Sequence, residues 1–158
     1  MPHHIAFFNI GSNLGSRRLN LSRAVAALEK EFGYFELSHA VESEPWGYES
    51  DRKFLNIGML VHTDMEPLQL LDLAKRIESD ICSDPHRNAD GSYADRVIDI
   101  DLIAVDSIVM ESDRLILPHP HMAERKFVLE PMAELAPQWR HPANGMTAAE
   151  MLAMLPHD

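Results

Sequence analysis

The chain has 158 residues, of which 46% are hydrophobic, and it carries a formal net charge of −11. This length and composition exclude wholesale disorder and predict a single domain, residues 1–158, with a substantial core. The negative charge argues against partners that need a basic surface, namely nucleic acids and anionic membranes. We expect small-molecule substrates, and we expect the protein to be a monomer.

The compartment and the relation to membranes follow from a few local features. Cys82 is the only cysteine, which excludes a disulfide framework and fits a reducing compartment. The first residues lack a signal-peptide pattern, and no apolar run approaches the roughly 18 residues of a membrane span. We expect a cytoplasmic protein.

The first part of the chain predicts a strand, a helix and two more strands. Residues 5–10 are an apolar strand that ends in a turn-rich loop at residues 11–15. The next apolar residues recur at helical spacing, and we expect this helix to end at Gly33. They are Leu21, Val25, Leu28 and Phe32. Weak strand character over residues 34–42 and a clear strand over residues 54–63 follow.

The second part predicts another helix, a strand and a capped final helix. The second helix starts near Pro67, and its apolar stripe is Leu70, Ala74, Ile77 and Ile81. A polar loop at residues 83–92 leads into an acidic strand, and a short strand is expected near residues 108–110. Thr147 and Glu150 have the spacing of a capping box.

The order strand, helix, strand, strand, helix, strand indicates an α+β protein. We expect a ferredoxin-like fold, in which a split βαβ arrangement forms an antiparallel sheet with the helices packed on one face. Because this fold hosts many functions, the function has to be inferred from the site.

The acidic strand carries the strongest chemical signal. Asp99 and Asp101 are two residues apart, so a strand places both carboxylates on one face, where they can hold a divalent metal ion. Arg96 stands just before them and is suited to phosphate. The alternate residues of the strand, which point to its other face, are apolar. On the face of the two aspartates, the later residues Ile103 and Val105 are also hydrophobic. The residues of the apolar face are Ile98, Ile100, Leu102 and Ala104. Taken alone, the same pattern also fits a solvated strand end.

Four separated segments together resemble the 6-hydroxymethyl-7,8-dihydropterin pyrophosphokinase family, over nearly the whole chain. They are Ile10-Gly11-Ser12-Asn13-Leu14-Gly15, Ser43-Glu44-Pro45-Trp46-Gly47 with Phe54-Leu55-Asn56, the Arg96, Asp99 and Asp101 constellation, and Leu117-Pro118-His119-Pro120 with Arg125-Lys126-Phe127-Val128-Leu129. The resemblance implies an ATP-dependent diphosphokinase of folate biosynthesis. Such an enzyme transfers pyrophosphate to the pterin hydroxymethyl group and releases AMP.

The resemblance also implies roles for individual residues. Two Mg²⁺ ions would be held by Asp99 and Asp101. The residues expected to act in catalysis are Arg96, Asp99, Asp101, His119 and Arg125, and those expected to bind ATP are Glu78, Arg87, Arg96, Arg114 and His119. The residues expected to bind the pterin are Ser43, Glu44, Trp46, Phe54, Asn56, Tyr93, Asp99 and Phe127.

The chain departs from the family pattern around the second helix and the loop after it. Lys75 stands where the family usually has Gln, and Cys82 with Ser83 replaces a Gly-Arg pair. Between Glu78 and Arg96 the only permanently charged base is Arg87. Since a lost phosphate-binding arginine costs rate more than binding, the alternative is a weakly active or inactive paralogue that serves as a pterin or nucleotide binding module. Another metal-dependent transferase with a nucleotide substrate is a third reading.

Overall fold

The computed structural model of the protein describes residues 4–45, 52–81 and 97–156. Within these ranges the strands are β1 (His4–Ser12), β2 (Tyr34–Leu37), β3 (Val41–Ser43), β4 (Phe54–Thr63), β5 (Asp99–Val105), β6 (Met110–Glu111) and β7 (Ile116–Leu117). The helices are α1 (Arg17–Glu29), α2 (Pro67–Ile81), α3 (Lys126–Leu135) and α4 (Ala148–Ala153), with a 3₁₀ turn at Met122–Glu124.

A five-stranded antiparallel sheet forms the centre of the described structure. The strand order is β2-β4-β1-β5, and β3 also pairs with β4. Because β1 and β2 are each antiparallel to β4, they run in the same direction with β4 between them. Strands β6 and β7 form a separate small hairpin. The prediction of an α+β protein with an antiparallel sheet is confirmed.

The prediction that the helices pack on one face of the sheet is wrong. One hydrophobic cluster joins Phe8 and Ile10 of β1 to α1 and α2, whereas a second joins Phe7 to residues of α3 and α4. Successive side chains of a strand point to opposite sides, and β1 is apolar at both parities, so both of its faces need a covering layer. The helices therefore form two layers, one on each side of the sheet.

A β-bulge changes which side chains of β5 share a face. Phe8 pairs with Leu102, but Phe7 pairs with Ala104, so Ile103 is an extra residue in β5. Ala104 consequently packs in the cluster with α3 and Val105 in the cluster with α1 and α2. This reverses the parity expected for these two residues from simple alternation.

Helix α1 ends at Glu29, four positions before the predicted end at Gly33. Tighter turns follow, in which Glu31 N–H donates to Leu28 O at 2.9 Å and Phe32 N–H donates to Glu29 O at 3.4 Å. Phe32 is nevertheless buried, with its ring centroid 6.2 Å from that of Phe8. The apolar spacing continues past the helix because the turn keeps Phe32 on the core side.

Two further predictions concern the cap of the last helix and the possibility of a membrane span. The predicted capping box is confirmed at α4, where Thr147 accepts from Glu150 N–H and Glu150 accepts from Thr147 N–H. Within the described residues, no helix combines the length and the apolar character that a membrane crossing requires.

Candidate active site

At one end of the sheet, two rows of small and polar residues run across the neighbouring strands β4, β1 and β5. Gly11 of β1 is paired with Asn56 of β4 on one side and with Asp99 of β5 on the other. Two residues earlier, Asn9 is paired with Gly58 and Asp101 in the same way. Since neighbouring strands lie about 4.8 Å apart, the backbones at Asn56 and Asp99 are separated by about 10 Å across a glycine. The glycine places no side chain between the amide and the carboxylate.

A cavity of about 660 Å³ opens at this end of the sheet, within the usual size range of small-molecule sites. It is lined by every predicted site residue that the structure describes. These are Ser43, Glu44, Phe54, Asn56, Glu78, Asp99, Asp101, Arg114, His119, Arg125 and Phe127. The other predicted site residues, Trp46, Arg87, Tyr93 and Arg96, lie outside the described residues.

The acidic wall of the cavity consists of Asp99 and Asp101, which are both partly accessible. Nη1 of Arg125 lies 3.9 Å from Oδ2 of Asp101. No group of three or more His, Cys, Asp or Glu residues in the described ranges is arranged to hold a metal ion. Two carboxylates alone fit Mg²⁺, which usually takes its remaining ligands from water and substrate phosphates.

Glu78 of α2 fixes the strand that carries these two aspartates. Its Oε2 accepts the backbone N–H of Ile100, which lies between them, at 2.6 Å. Among the described strands β5 lies at the edge of the sheet, so this carboxylate satisfies a donor that no other described strand accepts. Glu78 therefore has a structural contact in addition to its place in the cavity wall.

His119 is held against β5 in a defined protonation state. Its backbone N–H donates to Ile103 O at 2.8 Å, and its Nδ1 accepts the backbone N–H of His121 at 3.2 Å. Burial, with smaller contributions from the charges of Arg125 and His121, lowers the pKa of His119 to about 4. The ring is neutral near pH 7, and because Nδ1 is an acceptor, Nε2 carries the proton. His119 can therefore donate a hydrogen bond without carrying positive charge.

Asn56 forms the opposite, uncharged wall. Its Nδ2 donates to Ser43 Oγ at 2.8 Å and to Val41 O at 3.3 Å, which sets the orientation of the amide. Its Oδ1 lies on the Gly11 side, where a Cβ added to Gly11 would approach it to 2.8 Å. Phe54 is close to the same point, with its ring 3.3 Å from that Cβ position. Gly11 is needed here because a larger residue would displace the amide.

Ion pairs at the rim connect the surrounding elements. Arg114, in the connection between β6 and β7, pairs with Asp72 of α2. On the other side, Lys53 Nζ lies 3.6 Å from Oε1 of Glu44. Both pairs are largely exposed, so they contribute little to stability but hold charged side chains at the cavity entrance.

Several lining residues were not among the predicted site residues. They include Asn9, Leu71, Lys75, Ser112 and Asp113. Asn9 had a recognisable signal, since it is the only polar residue in the apolar run of residues 5–10. Lys75, which departs from the family pattern, lies on α2 one turn before Glu78 and lines the cavity.

Comparisons with known proteins show the family to which the chain belongs. The family model for 7,8-dihydro-6-hydroxymethylpterin-pyrophosphokinase (HPPK) matches residues 7–137. A 2-amino-4-hydroxy-6-hydroxymethyldihydropteridine pyrophosphokinase of Porphyromonas gingivalis is 38% identical over 141 residues, covering 87% of this chain and 94% of that protein. The protein of the same description from Bacillus subtilis is 35% identical over 138 residues, covering 86% of this chain and 80% of the relative.

Longer proteins contain a similar unit as one part. The chain is 36% identical to a folic acid synthesis protein of Dictyostelium discoideum over 156 residues. This alignment covers 98% of the present chain but only 23% of that protein. A crystal structure of Plasmodium falciparum HPPK-DHPS aligns with a TM-score of 0.70 at 15% identity, over 95% of this chain and 44% of that chain. The structural match supports the fold. The family match and the sequence identities together show that the chain belongs to the 7,8-dihydro-6-hydroxymethylpterin-pyrophosphokinase family, a family of diphosphokinase enzymes.

Proposed function

We propose that this protein transfers pyrophosphate from ATP to the hydroxymethyl group of 6-hydroxymethyl-7,8-dihydropterin in a Mg²⁺-dependent reaction of folate biosynthesis. The hydroxymethyl oxygen attacks the β-phosphorus of ATP, the bond from that phosphorus to the α-phosphate bridging oxygen breaks, and AMP leaves. No covalent intermediate with the protein is needed, so its side chains act by positioning the substrates and balancing charge.

The observation that carries this proposal is the row Asn56, Gly11 and Asp99 in one cavity. A neutral amide suited to the edge of a heterocycle and a carboxylate suited to a metal ion face each other across a glycine. A bicyclic heterocycle can span that gap with its hydroxymethyl group directed towards the acidic side.

On the pterin side, Asn56 Oδ1 can accept a hydrogen bond from the ring edge, because Nδ2 already donates to Ser43 Oγ and Val41 O. Phe127 and Phe54 supply flat apolar surfaces for the ring faces. Ser43 fixes the orientation of Asn56 through the bond at 2.8 Å. These residues discriminate by shape and hydrogen bonding rather than by charge, as a neutral substrate requires.

On the phosphate side, Asp99 and Asp101 would hold Mg²⁺. Mg²⁺ held there would supply positive charge to the phosphate oxygens. Arg125, whose side chain is only 11% exposed, supplies a positive charge beside Asp101. His119 donates from Nε2 as a neutral ring, and Arg114 meets the nucleotide at the rim. The neutral state of His119 avoids repulsion of the cations that the two aspartates attract.

The alternative is a weakly active or inactive paralogue that binds a pterin or a nucleotide. It is favoured by the shortage of permanently charged bases between Glu78 and Arg96, where Arg87 stands alone. Against it, Lys75 adds a cation to the cavity wall. The two proposals share a binding site and differ in turnover.

Product analysis separates these proposals. The protein is incubated with ATP, Mg²⁺ and 6-hydroxymethyl-7,8-dihydropterin, and nucleotides are resolved by anion exchange. AMP that forms only when the pterin is present supports the diphosphokinase. Binding of the pterin without AMP supports the binding module, whereas ADP indicates a different transferase.

We also propose finer features of the protein as a whole. The arrangement of β1, β4 and β2, with two parallel strands separated by an antiparallel one, supports a ferredoxin-like description of the sheet. A monomer in the cytoplasm remains our prediction for the assembly and the compartment.

A further inference from the structure

Helix α3 contains a proline that removes one of its own hydrogen bonds. In an α-helix the carbonyl of residue i accepts the N–H of residue i+4. The partner of Phe127 O would be residue 131, which is Pro131 and has no N–H. The side chain of Asn9 takes that place, since its Nδ2 donates to Phe127 O at 3.0 Å. A residue of β1 thus completes the first turn of α3.

Pro131 itself packs against the sheet at Gly58, next to Asn9. A Cβ added to Gly58 would lie 2.7 Å from Cβ of Pro131 and 2.9 Å from the ring of Phe7. Gly58 is the partner of Asn9 in the pairing of β4 with β1. Gly58 therefore leaves room for the ring of Pro131, and its paired residue Asn9 donates to the carbonyl that lacks a helical partner because of the proline. These two strand residues together hold α3 against the sheet.

Asn9 is suited to this position by burial and by charge. It is 4% exposed, so its amide needs a partner within the protein. It also stands beside Asp101 in the pairing of β1 with β5. A lysine or arginine at this point would neutralise that carboxylate, whereas an amide donates a hydrogen bond and leaves the charge of Asp101 for a cation.

We propose that Asn9 is a positioning residue for the pterin side of the site. Its bond to Phe127 O holds the start of α3 against the sheet, and with it the ring of Phe127, which lines the cavity. Arg125, directly before the helix, has its Cζ 5.7 Å from the centroid of that ring. This inference rests on the proposed function, because it assigns Phe127 to the pterin.

Affinities measured for both ligands test the proposal. Binding of 6-hydroxymethylpterin is followed by its fluorescence with Mg²⁺ and α,β-methylene ATP present, and binding of α,β-methylene ATP is measured separately by calorimetry. Asn9→Ala should weaken pterin binding about tenfold, or about 1.4 kcal/mol, which is the scale of one buried hydrogen bond. Affinity for the nucleotide analogue should change less than about twofold, because α3 bears no residue assigned to it.

The proline offers a rescue experiment. In Pro131→Ala, residue 131 has an N–H that can bond to Phe127 O within the helix. Adding Asn9→Ala to Pro131→Ala should therefore weaken pterin binding less than about threefold relative to Pro131→Ala alone. This comparison also serves if Asn9→Ala alone does not fold, since the double variant is expected to fold.

Trp139→Phe is the matched control. It removes a bond of the same kind, from Trp139 Nε1 to Asp106 O at 2.7 Å, beyond the end of β5 that is remote from the cavity. It should lower the melting temperature without changing pterin affinity.

Three results would overturn the inference. Asn9→Ala that binds the pterin like Trp139→Phe would show that the bond is only structural. An equal loss in the Pro131→Ala background, or a double variant that does not fold, would show that the helix does not depend on Asn9 for the reason given. A wild-type protein that binds no pterin would contradict the proposed function itself and this inference with it.

Discussion

The neutral state of His119 makes a quantitative prediction for stability. The pKa of this ring is about 4 in the folded protein, because burial and the nearby charges of Arg125 and His121 disfavour the protonated form. In the unfolded chain it takes the ordinary value of about 6.5. Between these two pH values the unfolded state binds the proton and the folded state does not, so stability falls as the pH decreases through this window. A difference of about 2.5 pKa units corresponds to about 3 kcal/mol when the window has been crossed.

The variant His119→Gln removes this linkage and keeps a side chain that can donate a hydrogen bond. Urea denaturation at pH 7.0 and at pH 4.5 gives the free energy of unfolding of both proteins. The wild type should lose about 2.5 kcal/mol more than the variant between these conditions. Titration of the assigned His119 ring signal by NMR should have a midpoint near pH 4. Bound α,β-methylene ATP should raise this midpoint, because phosphate oxygens stabilise the protonated ring.

Equal losses of stability in the two proteins would refute the reasoning. A midpoint of the His119 signal between pH 6 and 7 in the free protein would refute it as well, since it would mean that the ring is solvated and charged like an ordinary histidine. His119 would then act as a cation on the phosphates rather than as a neutral donor.

The remaining predictions concern the two ends of the cavity. Asp99→Asn or Asp101→Asn should lower pterin-dependent AMP formation about a thousandfold while leaving the melting curve cooperative, and a variant within tenfold of wild type would contradict the metal assignment. Gly11→Ala places a Cβ 2.8 Å from Asn56 Oδ1, so it should weaken pterin binding about tenfold and lower the free energy of unfolding by about 1–3 kcal/mol in urea denaturation. Lys75→Gln should weaken α,β-methylene ATP binding about fivefold by calorimetry, whereas Arg76→Gln, which removes a cation paired with Glu31 outside the cavity, should leave it unchanged.

The sequence predicts the elements best where side-chain spacing decides the structure. The apolar spacing from Pro67 to Ile81 and the run of residues 54–63 correspond to α2 and β4 as observed. Helix α3 is not predicted, because Pro131 interrupts its interior and its missing hydrogen bond is restored by Asn9, 118 positions earlier in the chain. The helix layer on the second face of the sheet is not predicted either, because the capping box predicts α4 but does not specify the face on which it packs.

In the candidate site, too, local motifs predict some features, whereas others depend on long-range strand pairing. The aspartates of β5 and the residues around His119 could be chosen from local motifs, and they line one cavity. The position of Gly11 between Asn56 and Asp99 depends on the register of three strands, which local patterns do not specify. The reversed parity of Ala104 and Val105 depends on a bulge that has no distinctive residue in the sequence.

The central claim is that one cavity holds both substrates, with the pterin at Asn56 and the phosphates at the two aspartates. A crystal structure with Mg²⁺, α,β-methylene ATP and 6-hydroxymethylpterin tests it directly. We predict the amide of Asn56 at the pterin ring edge, the hydroxymethyl group directed across Gly11, and metal ions on Asp99 and Asp101. A pterin bound away from Asn56, or carboxylates at positions 99 and 101 without metal ions beside the nucleotide, would contradict the account.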